Sequence, residues 1–206
     1  MAEAISLAKM LNDMHALAVA LFFAANLAHY ERSPVEVERL QSDLIELSKR
    51  HNFAFFLAGG EVLRGWAHSA SGHTAEGLAW IEAGIDGWRA TGAMLDVPFF
   101  LALKSEALYL AQRVSEALEA ISAAETLVER SEDRHWCAEL HRLRGVFLAA
   151  LGADKTQIEA SFSAAIRIAK EQKSISLAKR AETTYAEYRR QKASGSGGRA
   201  FRLPLC

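Results

Sequence analysis

The chain repeats itself every 40 residues. Ala25, Gly65, Ser105 and Gly145 form one column of small residues, each inside an apolar stretch. A second column runs Val37, Gly77, Ala117, Ile158; a third Gln41, Ile81, Ile121, Phe162; a fourth Leu44, Gly84, Ala124, Ala165. The last three slip by one residue in the final repeat, which places a one-residue insertion near Gly152–Lys155. A fixed period of this size is the mark of a solenoid, whose units bury their apolar faces only by stacking on their neighbours. Such an array is a binding surface first. Its 206 residues suffice for one large domain or two small ones, and a solenoid of this length is expected to be one cooperative array.

Long Ala/Leu/Glu/Arg stretches without β-branched alternation predict an all-α chain. Each unit reads as two helices. The first of each pair, helix A, is expected at about 15–30, 55–71, 97–112 and 135–151. The second, helix B, is expected at about 34–51, 75–91, 115–131 and 156–172. Ser33-Pro34-Val35-Glu36 has the form of a capping box, and Thr156 with Glu159 repeats it. Thr74, Ser115 and Asp96 are further candidate caps. Gly72, Gly92 and Gly152 fall where a left-handed turn residue is expected. A mid-helix glycine costs about 1 kcal/mol relative to alanine. Two in one column, Gly65 and Gly145, therefore predict helices too close for a side chain.

The repeat domain is expected over 1–191. It comprises a half unit at 1–13, four units over about 14–173 and a final helix at 175–191, before a flexible tail at 192–206. An incomplete first unit leaves an apolar helix face uncovered, so self-association through it is expected.

Charge is uneven. Residues 1–166 carry 14 Lys and Arg against 22 Asp and Glu; residues 167–206 carry 10 against 3. A solvated last helix with a basic tail accounts for this. Without aromatic interleaving, nucleic acid is not expected as a partner. Two cysteines, Cys137 and Cys206, make no disulfide framework and fit a reducing, cytoplasmic setting. The apolar run Ala16–Ala25 falls short of the roughly 20 residues of a membrane span, and it is read as a buried helix face. Catalytic motifs are missing, so the chain is expected not to be an enzyme and to need no cofactor or metal. Cys137 and His141 share a helix face, but two ligands are too few for a structural zinc site.

The columns resemble the tetratricopeptide pattern: a small residue in helix A, an Ala-like residue twelve on, an aliphatic or aromatic residue four further, then another small residue. Gly65, Gly77, Ile81, Gly84 and Ser105, Ala117, Ile121, Ala124 follow it. The period of 40 exceeds the family's 34, so longer helices are expected in this tetratricopeptide-like α-solenoid. The phrases Leu63-Arg-Gly-Trp-Ala67, Gly84-Ile-Asp-Gly-Trp-Arg-Ala-Thr-Gly92 and Glu139-Leu-His-Arg-Leu-Arg-Gly145 carry a second resemblance. They are similar to the C-terminal helical-repeat region of bacterial multidomain proteins with an adenylate/guanylate cyclase or DNA-binding regulator domain and an ATPase.

In tetratricopeptide arrays helix A lines the concave face. Carried over from the small-residue column, that resemblance implies a partner-binding line of Phe22, Asn26 and His29; Val62, Trp66 and Ser69; Ala102, Glu106 and Tyr109; and Arg142, Val146 and Ala149. This mixture of aromatic and polar groups suits a peptide or partner protein. Trp66 and Tyr109 could equally pack between neighbouring A helices. Asn26 matches a carboxylate-gripping position, but the accompanying lysines are absent. The expected function is a non-catalytic interaction scaffold. The alternatives are a detached regulatory piece of a cyclase–ATPase protein and part of a transcriptional regulator whose basic C-terminal region contacts nucleic acid.

Overall fold

The computed structural model describes residues 1–130 and 134–194. They form α1 (Ala2–Met10), α2 (Met14–Tyr30), α3 (Pro34–His51), α4 (Ala54–Ala70), α5 (Thr74–Ala90), α6 (Val97–Leu110), α7 (Val114–Arg130), α8 (Cys137–Ala150), α9 (Lys155–Glu171) and α10 (Ile175–Ala193). The fold is all-α, a solenoid of antiparallel helix pairs. Most boundaries fall within a residue of those read from the period. The final helix runs to Ala193, into the stretch read as tail. Residues 195–206 of that tail lie outside the described residues. The chain forms two compact units, Met1–Leu95 and one beginning at Asp96.

The turns show a shorter period than the sequence reading found. Asn12, Arg32, Asn52, Gly72, Gly92 and Gln112 all have positive φ, 20 residues apart, and Gly152 and Lys173 continue the series. Each lies at the end of a helix in the left-handed conformation, Asn52 as the C-cap of α3 and the others one residue beyond the C-cap. After α2, for example, Ser33 N–H donates to the Ala28 carbonyl at 2.9 Å and Arg32 N–H to the His29 carbonyl at 3.0 Å, the paired bonds of a Schellman ending. The three glycines were legible because glycine adopts this conformation freely. Asn12 and Asn52 carry a weaker form of the same signal; Arg32, Gln112 and Lys173 carry none.

The helix starts differ from the sequence reading. Ser33 makes no side-chain capping bond, so the Ser33–Glu36 box does not form; Glu36 turns instead to Arg39, with Arg39 Nη2 2.6 Å from its Oε1. Thr74 and Ser115 lie inside their helices rather than ahead of them. Asp154, not Thr156, caps α9, accepting the Thr156 N–H at 2.8 Å. Asp96 precedes α6 at φ 62° without a side-chain cap bond. Asp13 caps α2 through the Ala16 N–H at 2.9 Å.

In the first unit α3 packs on α2 and α4, and α5 packs on α4. The closest of these approaches is α4 on α5. A Cβ on Gly65 would stand 2.5 Å from the Gly77 carbonyl oxygen and 2.8 Å from Ile81 Cγ1. Gly84 repeats the constraint against Val62 and the Ala58 carbonyl. Around this contact Trp66, Ile81 and Trp88 are fully buried, each burial contributing about 2–3 kcal/mol. Trp88 Nε1 donates to the Leu95 carbonyl at 2.8 Å, which ties α5 to the last residue of its unit.

In the second unit α7 packs on α6 and α8, and α9 on α8 and α10. Here the small column meets bulk rather than another glycine: a Cβ on Gly145 would lie 2.7 Å from the Phe162 ring. Phe99 stacks on Trp136 with centroids 4.1 Å apart, and Tyr109 packs against Phe147 at 5.4 Å.

One repeat column is interrupted by a polar residue. Gln41 is fully buried, where the same column holds Ile81, Ile121 and Phe162. Its carboxamide has no hydrogen-bond partner among the described residues, a loss that ordinarily costs about 1–3 kcal/mol.

Candidate interaction surface

The structure places most residues of the expected partner-binding line in the core. Phe22, His29, Val62, Trp66, Ser69, Glu106, Tyr109 and Arg142 are all buried, from 0% to 7% exposed, as are Ala102, Val146 and Ala149. His29 packs edge-on against Trp66 at 4.5 Å. Ser69 Oγ donates to the Gly65 carbonyl at 2.9 Å. Asn26 alone is half-buried, and its Nδ2 donates to the Phe22 carbonyl on its own helix at 2.9 Å.

The open line of helix A lies a residue or two away. In the first unit α3 and α5 pack on α4 but not on each other. The strip of α4 between them stays partly open: Leu57, Glu61, Arg64 and His68 are half-buried, at the i, i+4, i+7, i+11 spacing of one helix face. In the second unit α7 and α9 likewise do not touch each other. The half-buried strip of α8 is Cys137, His141, Arg144 and Leu148, each 80 residues on from its α4 counterpart.

The α4 strip carries a stacked column of rings and a cation. Trp80, on α5, is half-buried. The Arg64 guanidinium lies 4.7 Å from the Trp80 ring centroid, and its Nε donates to Glu38 Oε1 on α3 at 2.8 Å. The His68 ring stacks on Trp80 at 4.6 Å and on His73 at 4.5 Å. His68 Nε2 is 2.8 Å from Glu76 Oε2, and that hydrogen bond holds the Glu76 carboxyl below the usual range. Three helices thus position Trp80, Arg64, His68 and two carboxylates side by side. Tryptophan and arginine are the residue types that most often anchor protein partners.

The α8 strip is similar but lacks the ring stack. Arg144 Nη1 donates to Glu125 Oε2 on α7 at 2.7 Å, and His141 Nδ1 lies 3.8 Å from Glu125 Oε1. Burial pushes the His141 imidazole below its ordinary 6.5, Glu125 pulls it back, and Arg144 and Arg167 push it further down. Among the described residues no group of three His, Cys, Asp or Glu side chains could hold a metal ion. None of the described helices is long and apolar enough to cross a membrane.

Arg142 serves α8 from inside. Its Nε and Nη2 donate to Glu139 Oε2 and Oε1 at 2.9 and 2.8 Å, and Nη1 lies 3.4 Å from Thr184 Oγ1. Arg180 adds a 3.2 Å contact to Glu139. This network joins α8 to α10. On the surface, part of the C-terminal positive charge is already paired: Arg167 with Glu171, Lys170 with Glu182, and Arg190 with Glu187.

Trp80, Arg64 and His73 escaped the sequence reading. The small-residue column identifies where helices touch rather than where they part. A tryptophan in the column occupied by Leu40 and Ala120 was the available signal.

No family model matches the chain. An uncharacterized protein of Rhizobium meliloti (strain 1021) is 28% identical over 173 residues, which is 84% of this chain. The chain spans only 17% of that relative's length. Among solved structures, Bacillus thuringiensis PlcR, crystallised with the peptide PapR7 and DNA, has a similar fold. The TM-score is 0.61 with 14% identity, covering 88% of this chain and 72% of PlcR.

The buried network makes a direct prediction. Glu139→Ala leaves Arg142 buried without its bidentate partner, so urea denaturation should show a loss of about 3–5 kcal/mol. Glu36→Ala breaks an exposed pair and should cost no more than about 1 kcal/mol. Equal effects would show that the network does not hold α8 to α10.

Proposed function

We propose that this chain is a non-catalytic scaffold that binds a peptide or a partner protein along the open strip of helix A. The observation that carries the proposal is the column of Trp80, Arg64 and His68 between Glu38 and Glu76. It presents an aromatic surface, a cation and two carboxylates within a few ångströms. A peptide laid along α4 between α3 and α5 would find apolar contact at Leu57 and Trp80 and polar contact at Glu61 and Arg64. The likeness to PlcR, solved with a bound peptide, supports the reading at the level of fold.

Selection from a random peptide library displayed on phage tests it. Selected peptides should bind the wild-type chain, and Trp80→Ala with Arg64→Ala should weaken them at least tenfold while the far-ultraviolet circular dichroism stays helical. Enrichment of no sequence, or binding indifferent to both substitutions, would refute the strip as the site.

The length of the Rhizobium relative, of which this chain spans 17%, favours a second reading, in which the array is part of a longer protein; that this protein is of the cyclase–ATPase kind rests on the resemblance of the repeat phrases alone. Deleting the matching segment from that relative should change its rate of nucleotide turnover. A relative with no cyclase or ATPase activity would end this reading.

A further inference from the structure

The strip of α4 carries one carboxylate that no described residue neutralises. Arg64 stands three residues after Glu61, a spacing at which the two could pair. The guanidinium turns instead to Glu38 on α3, with Nε 2.8 Å from Oε1, and lies against the Trp80 ring. Glu76 is taken as well, by His68 Nε2 at 2.8 Å. The half-buried Glu61 carboxylate has no hydrogen bond or ion pair among the described residues. A further charge on this side of α3 is exposed Lys49. It lies one turn past Ile45, which itself flanks Gly60, and so stands beyond Leu57 at the end of the strip.

This decides what a bound segment must supply. Covering Glu61 removes water from its carboxylate, and a buried charge without a partner is costly. A segment seated on the strip must therefore bring a cation to that point. The neighbours of Glu61 on the strip are apolar. Leu57 is one turn away on one side, about 6 Å along the axis, and the Trp80 ring lies on the other, level with Arg64 and His68. Two residues of an extended chain span about 6.6 Å and put their side chains on one face. The strip is one side chain wide, which suits an extended chain better than a helix about 10 Å across. At the place of Glu61 the α8 strip has His141, and the carboxylate near it, Glu125, already holds Arg144. The demand for a cation is thus particular to the first unit.

We infer that the segment bound on the α4 strip is an extended basic one, with a lysine or arginine on Glu61 and apolar side chains two residues to either side, on Leu57 and Trp80. The inference rests on the strip being the binding surface and adds the charge its partner must carry. Peptides selected from the phage library test it. They are resynthesised with both termini blocked, so that no terminal amine stands in for the side chain, and titrated by fluorescence anisotropy. They should share the alternation apolar, any, basic, any, apolar. Replacing the basic residue by glutamine should weaken binding to the wild type about tenfold, the value of a charged hydrogen bond, and should change little on Glu61→Gln. Glu61→Arg should lose the basic peptide and take up the one with glutamate in its place. Both variants change a half-buried surface position, and circular dichroism checks that they stay helical. Peptides that depend on Trp80 and Arg64 but carry no basic residue, or whose basic residue is indifferent to Glu61, would overturn the inference and leave the strip as the binding surface. Peptides indifferent to Trp80 and Arg64 would remove both.

Discussion

The first unit depends on the approach of α4 to α5 at Gly65 and Gly77. No side chain fits between them: a Cβ on either glycine would come within 2.5 Å of a backbone oxygen. That closeness lets Trp66 and Trp88 bury fully beside it. It also turns α4 so that Val62, Trp66 and Ser69 point into the core and Arg64 and His68 point out. Since α3 and α5 pack on α4 without meeting each other, the outward strip stays open and Trp80 can lie beside it.

Much of this was legible. The small column predicted close packing at Gly65 and Gly145, and both glycines face atoms that leave no room for a Cβ. Gly72, Gly92 and Gly152 carry the left-handed turns expected of them. What could not be read were the equivalent turns at Arg32, Gln112 and Lys173, where the paired backbone bonds of the helix ending hold a conformation that the side chain does not favour. The Ser33–Glu36 box failed for a local reason. Glu36 has Arg39 three residues on, and both of its carboxylate oxygens are engaged by that guanidinium.

The partner-binding line was harder. A repeat pattern identifies its most constrained positions first, and those are the buried ones. Residues chosen from the small column therefore carry its burial with them, as Val62 and Trp66 do. A functional strip is defined instead by what neighbouring helices leave uncovered, which depends on α3 and α5 standing apart. The buried Glu139–Arg142–Arg180 network shows the same difficulty in another form. Arg142 falls on the line carried over from the small-residue column, whereas a glutamate three residues before it on the same helix holds it inside.

The most direct test of the small-residue constraint is the sign of one stability change. In an unconstrained helix Gly65→Ala should stabilise the protein by about 1 kcal/mol through helix propensity. With the Gly77 carbonyl in the space the methyl group needs, urea denaturation should instead show a net loss of about 1–3 kcal/mol, the usual cost of overpacking. A measured gain would mean that α4 and α5 are not in contact at this point, which contradicts the packing of the first unit.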